Sequence, residues 1–211
     1  MGTAREEIVA RLKAAQDKRG EVGLEKPDFT SPVYLPLNAN LAEEFQQKLE
    51  LVGGKFIATE SIDEAVQKLQ EMIRENQWNN IFCKDDMLQK YLLGKIEFGS
   101  DDQAFEQMQV GITRCEFLVA HLGAVLVSSA QASGRRLNVF SEIHVIFAHE
   151  EQLTDYLESG IQKIKEKYEG NLPSLISVIT GPSRTADIEK TLVMGMHGPK
   201  SLLIFLCKKP F

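Results

Sequence analysis

Residues 40–83 read NLAEEFQQKLELVGGKFIATESIDEAVQKLQEMIRENQWNNIFC, and the order of elements in this stretch decides the fold. Asn40 with Glu43 three residues later is a capping-box pattern that starts a helix. Leu41, Phe45, Leu49 and Val52 recur at helical spacing, and Gly53-Gly54 ends the run, since glycine tolerates a left-handed cap. Phe56-Ile57-Ala58 reads as a short buried strand. Ser61 and Glu64 repeat the capping pattern, and Ile62, Ala65, Val66, Leu69, Met72 and Ile73 give the second helix a wide apolar face. Asn79-Asn80 turns the chain into a second strand, Ile81-Phe82-Cys83. Alternating helices and strands predict an α/β fold, a mainly parallel sheet flanked by helices. Its crossovers should be right-handed, and ligands in such folds collect at strand ends.

Toward the N-terminus, residues 3–18 read as a helix with Ile8, Val9, Leu12 and Ala15 on one stripe. That stripe packs either on the body of the protein or on a partner. Residues 19–38 hold Gly20, Gly23, Pro27, Pro32 and Pro36, which break helix and deny strand hydrogen bonds. Only Val33-Tyr34-Leu35 reads as extended there. The expected organisation is therefore a helix and irregular connector over residues 1–39, then an α/β domain over 40–211.

Toward the C-terminus, residues 84–110 are irregular, with a turn or helix start at Asp101-Asp102. A helical turn is expected to about Cys115, then strands at 117–120 and 124–128 with Gly123 at the bend between them. A small-residue loop at 130–134, a strand over 141–148 and a long amphipathic helix over 152–168 follow. Gly170 and Pro173 stop that helix.

The chain has 211 residues and a formal charge of -6 without a basic block. Nucleic acid and membrane surfaces are therefore poor partners. Cys83, Cys115 and Cys207 lie far apart, and no C-x-x-C occurs, so the chain has no iron–sulfur or zinc cluster from its own cysteines. Free cysteines in apolar runs fit a reducing, cytoplasmic setting, and the first residues carry no apolar signal core. The pairs Glu116/His121 and His144/His149 are each five apart, which matches no standard metal spacing.

The richest chemistry is in the last forty residues. An apolar run at 175–180 feeds Gly181-Pro182-Ser183-Arg184-Thr185-Ala186-Asp187, a short helical stretch is expected next, and Met196-His197-Gly198-Pro199-Lys200 leads into a second apolar run at 201–207. The two runs are expected to pair in a sheet, so that both loops face one crevice. Gly181 lets backbone approach a ligand. Ser183 and Thr185 offer hydroxyls, Arg184 a positive fork, and a helix start free N–H groups, which together suit a phosphate or carboxylate. The loop lacks the Gly-Lys-Ser/Thr ending of a Walker motif. The plainer alternative is a capped turn with Asp187 on the helix dipole. His197 can act as a general acid or base, oriented by Asp187, because its pKa lies near neutrality; equally, it can lock its own turn. Gly198 and Lys200 complete the expected ligand-binding set.

The run from Ile179 to Glu189 followed by Gly195-Met196-His197-Gly198-Pro199, with Gly111-Ile112-Thr113 through Gly123 as a middle motif, resembles the LUD-domain family from about residue 40 onward. The resemblance implies a fold of the NagB/RpiA/CoA-transferase-like group. It also implies a role as an accessory subunit in oxidising L-lactate to pyruvate beside iron–sulfur partner proteins, and a carry-over of function to Ser183, Thr185, Asp187, His197 and Gly198. One departure concerns the middle motif, where His121 and Ala124 stand in place of the acidic and hydroxyl residues common in relatives. The alternative is a self-contained enzyme acting on a phosphate-, folate- or CoA-bearing substrate, because fold alone does not choose among reactions.

Overall fold

The computed structural model describes residues 3–18, 30, 34, 36–185 and 193–211. The chain divides into two units, residues 1–36 and 37–211. The first contains helix α1 (Ala4–Lys18), whose described side chains are exposed. The expected extended piece at Val33 and Leu35 lies outside the described residues.

The second unit opens as its caps dictate. Asn40 Oδ1 accepts from the backbone N–H groups of Ala42 and Glu43 and starts α2 (Leu41–Leu51). Strand β1 (Lys55–Thr59) follows. Ser61 accepts from Glu64 N–H at the start of α3 (Ile62–Glu75), and β2 (Ile81–Cys83) comes next. Asp85 and Asp101 then cap two short helices, α4 (Asp86–Leu92) and α5 (Asp102–Glu106). Strand β3 covers Val110–Arg114, so the helical turn expected to about Cys115 is corrected. This strand is buried on both faces and shows no period-2 alternation to announce itself.

A hairpin of β4 (Phe117–Val119) and β5 (Ala124–Ser128) turns at Gly123, as expected. Gly123 has φ +59, and a Cβ there would lie 2.2 Å from the backbone nitrogen of Leu49, so the bend is pinned against α2. After α6 (Leu137–Phe140) and β6 (Ile143–His149) comes a two-residue strand, β7 (Leu153–Thr154). Helix α7 spans Leu157–Lys167, shorter than the expected 152–168 because the first residues of that run are taken up by β7. Strands β8 (Ile176–Ile179), β9 (Arg184–Thr185), β10 (Val193–Met194) and β11 (Ser201–Cys207) complete the chain.

The central sheet runs β1-β11-β6-β3-β2, and every pairing in it is parallel. This is the expected α/β architecture. One face packs on α3 and α4 through Val66, Leu69, Leu88, Val145, Phe147 and Phe205. The other face, through Ile146, Leu202 and Ile204, meets Phe45 and Leu49 of α2 and Leu118 and Val125 of a second sheet, β7-β4-β5-β8. Helix α7 covers the far side of that sheet. The two C-terminal apolar runs do not pair with each other. β8 joins β5 in antiparallel register, while β11 joins β1 and β6. The reason lies in their faces: β11 is buried almost throughout and suits a central position, whereas β8 is only partly buried and suits an edge. No helix among the described residues is long and apolar enough to cross a membrane.

Candidate functional site

The two C-terminal turns meet although their strands lie in different sheets. Ser183 N–H donates to the Pro199 carbonyl at 2.8 Å, and Gly195 N–H donates to the Ser183 carbonyl at 2.9 Å. Arg184 and Thr185 pair antiparallel with Met194 and Val193. A Cβ on Gly198 would sit 3.1 Å from Ser183 Cβ, so the second turn rides directly on the first. Gly181, at φ +78, backs onto the carbonyl of Val52 where a Cβ would be 2.6 Å away. His197 and Lys200 are exposed, Ser183, Thr185 and Gly198 are half-buried, and Gly181 and Pro199 are buried. The joined turns thus present a surface with a fixed backbone beneath it.

Two cations near the turns already have protein partners. Arg184 donates from Nη2 to the Val52 carbonyl, at the C-terminal end of α2, where a positive charge is favoured by the helix dipole. Lys200 Nζ lies 2.7 Å from Glu142 Oε1. Thr185 belongs to β9 rather than to a helix start. Asp187 and the helical stretch expected around it lie outside the described residues, so the His197–Asp187 pairing is not among the contacts described.

Below the turns runs the segment from α6 to β6. A Cβ on Gly198 would be 3.9 Å from the Val139 carbonyl, and the N–H groups of Lys200 and Ser201 both donate to the Glu142 carbonyl. Three side chains of this segment, Asn138, Ser141 and His144, are at least 95% buried. Asn138 Nδ2 donates to Ser133 Oγ and the Gly134 carbonyl, and His144 Nε2 shares a 2.8 Å hydrogen bond with Thr113 Oγ1. Among the described residues, Asn138 Oδ1, Ser141 Oγ and His144 Nδ1 meet no partner. Each such buried group costs about 1–3 kcal/mol. Such atoms are rare in folded proteins, so three within seven residues single out this segment. Burial pushes the His144 pKa down to about 3, so its ring is neutral near pH 7. Sequence reasoning missed this trio. The available signal was the three-residue spacing Asn138, Ser141, His144 leading into a buried strand.

The opposite, carboxyl-terminal end of the central sheet is the usual ligand position in parallel sheets. Arg114 there pairs with Asp85 at 2.8 Å, and Asp85 also caps α4. A hollow of about 320 Å3 is lined by Glu43, Glu60, Glu64 and Glu150 with Lys208. Four carboxylates to one ammonium repel an anion, which favours the turns as the anion site. The cysteines are buried, and burial pushes the Cys83 thiol up to about 12 and raises Cys115 and Cys207 as well, which disfavours the thiolate. No group of three side chains able to hold a metal occurs among the described residues.

A family profile described as the LUD domain matches residues 97–207, more than half of the chain. The chain belongs to the LUD-domain family. The matched span contains β3 to β11, both turns and the buried trio. Lactate utilization protein C of Bacillus licheniformis is 33% identical over 99 residues, 46% of this chain and 41% of that protein. Its namesake from Shouchella clausii is 35% identical over 95 residues, 44% of this chain and 42% of that one. In these two alignments the chain spans about two-fifths of the relative's length. Lactate utilization protein C of Oceanobacillus iheyensis aligns over 92% of this chain and 94% of its own length at 23% identity. Among solved structures, a DUF162 family protein from Deinococcus radiodurans superposes with a TM-score of 0.62 at 15% identity, covering 82% of this chain and 99% of that one, which supports the fold.

Proposed function

We propose that the chain is an accessory subunit of L-lactate oxidation to pyruvate that works beside iron–sulfur partner proteins. In this reading the joined turns hold a small carboxylate. Gly181, Ser183, Thr185 and Gly198 shape the seat, Arg184 and Lys200 set its positive field, and His197 takes the hydroxyl proton with Asp187 orienting it. The observation that carries the reading is the backbone-bonded meeting of Ser183 with Gly195 and Pro199 inside the LUD span. The relatives named for lactate utilization support lactate as the substrate in this reading.

Oxidation of lactate to pyruvate releases two electrons and two protons. His197 takes the hydroxyl proton, and the C2 hydrogen leaves with both electrons to an acceptor. This reading assigns that acceptor to a partner, in keeping with three buried cysteines that lie in separate strands and turns. The test is a deletion strain on L-lactate, complemented with the wild type, Ser183→Ala or His197→Gln, with the tagged chain recovered for iron analysis. Loss of growth, rescue by the wild type alone and co-recovery of an iron–sulfur protein are expected. Undiminished growth of the deletion strain would remove the proposal.

A further inference from the structure

A hollow of about 720 Å3 lies between the C-terminal end of α3, the entry to β2 and the segment from Lys95 to Gly99. It shares no lining residue with the two turns. Its volume is in the range that encloses a small organic molecule. Trp78, the chain's one tryptophan, and Phe98 line it, both half-buried. The walls are braced. Gln70 Nε2 donates to the Lys95 carbonyl, and Gly99 exchanges backbone hydrogen bonds with Ile81 and Cys83 of β2. Gln77 at φ +55 and Asn80 at φ +48 bracket Trp78 in left-handed backbone, a conformation with a cost for side-chain-bearing residues. This short segment is thereby held in one shape beside the hollow.

The polar lining has a definite character. It carries Arg74 and Lys95 against one acid, Glu97, in a chain whose net charge is -6. Lys95 faces Asp63 at 2.7 Å, which answers part of its charge. Arg74 donates Nε to the Gln70 carbonyl at 3.4 Å and forms no ion pair among the described residues. Its guanidinium is the cation left for a ligand, and its planar fork suits phosphate or carboxylate. Asn79, Asn80 and Gln107 bring carboxamides, which offer a donor and an acceptor side by side. That pairing matches the edge of a nitrogen heterocycle, while the indole and phenyl rings match its face.

We propose that this hollow binds a planar heteroaromatic ring carrying an anionic group, of about mononucleotide size. Trp78 reports on the site directly because no other tryptophan contributes. The full chain is titrated with AMP, GMP and FMN, and with adenosine and inorganic phosphate as probes lacking the charge or the ring, by tryptophan fluorescence and calorimetry in parallel. At least one nucleotide is expected to change Trp78 emission saturably. Adenosine should bind about tenfold more weakly than AMP or not at all, and phosphate should leave the emission unchanged. Arg74→Gln, at an exposed position that leaves the fold intact by circular dichroism, should weaken the nucleotide about tenfold, the equivalent of about 1.4 kcal/mol. No saturable response to any of the three nucleotides would overturn the proposal, as would a response indifferent to Arg74→Gln or equal affinity for adenosine and AMP. L-lactate titrated by calorimetry reports separately on the turns, so the failure of one site is not the failure of the other.

Discussion

Glu116→Gln is the perturbation whose size follows most directly from the structure. Glu116 is 1% exposed and accepts from Lys167 Nζ at 2.6 Å, Ser128 Oγ at 2.6 Å and Tyr168 Oη at 2.7 Å. It ties β5 to the end of α7 and so holds the second sheet against its helix. A glutamine keeps one acceptor oxygen but loses the charge, and an NH2 group turned toward the Lys167 ammonium finds no acceptor there. Removing one member of a buried ion pair costs about 3–5 kcal/mol, and because Lys167 is half-exposed and can turn to water, the lower figure, about 3 kcal/mol, applies. At about 2–4 °C per kcal/mol for a domain of this size, the melting temperature should fall by roughly 6–12 °C at pH 7. The sign of the pH dependence is a second check. Burial alone would raise the Glu116 pKa, but hydrogen bonds from Lys167, Ser128 and Tyr168, with the Lys167 charge, outweigh it and hold the pKa low in the folded chain. Its contribution is therefore complete above the ordinary carboxylate range and is lost as pH falls through the folded-state pKa. Differential scanning calorimetry of both proteins from pH 7 to pH 3 should show the gap narrowing in acid. An unchanged melting temperature at pH 7, or a gap constant down to pH 3, would refute the reasoning.

Ser141→Ala removes a buried hydroxyl that has no partner among the described residues, so urea unfolding should show stability unchanged or raised by about 1 kcal/mol; a clear loss of stability would contradict that placement. Gly123→Ala places a Cβ 2.2 Å from the Leu49 nitrogen at φ +59, and should cost about 3 kcal/mol or more in the same assay. His144 has a folded pKa of about 3, so protons bind the unfolded chain first and wild-type stability should decline from about pH 6.5 toward pH 3, with a slope approaching about 1.4 kcal/mol per pH unit. His149, also depressed by burial, adds in the same direction, so His144→Leu should flatten the decline in part, as read by acid titration of unfolding.

The elements legible in the sequence were those written locally. Asn40, Ser61 and Gly123 act within a few residues of themselves, and the caps and the bend they announce are present. β3 does not announce itself because Val110 and Ile112 pack in the cluster with α3 and α4 while Gly111 and Thr113 lie against Ser141 and His144, which leaves neither period visible. The separation of β8 and β11 into different sheets is a choice of tertiary partner, which apolar content alone does not encode. Within the candidate site, the composition of the turns was legible and their contact was expected. The employment of Arg184 at the end of α2 was not, because Val52 lies 132 residues away in the chain. The trio Asn138, Ser141 and His144 was hidden for a similar reason: their even spacing marks the positions, but not that one polar atom of each will be buried away from any partner among the described residues.

The central claim is that the joined turns seat a small carboxylate. It is tested most directly by titrating the isotope-labelled chain with L-lactate and following the backbone amides of Ser183, Gly198 and Lys200 by NMR. Saturable shifts at these three amides, abolished by a bulky Gly198→Val substitution, are the predicted result. Saturable shifts confined to the carboxyl-terminal end of the central sheet around Asp85, Arg114 and His149, or no saturable shift anywhere, would contradict it.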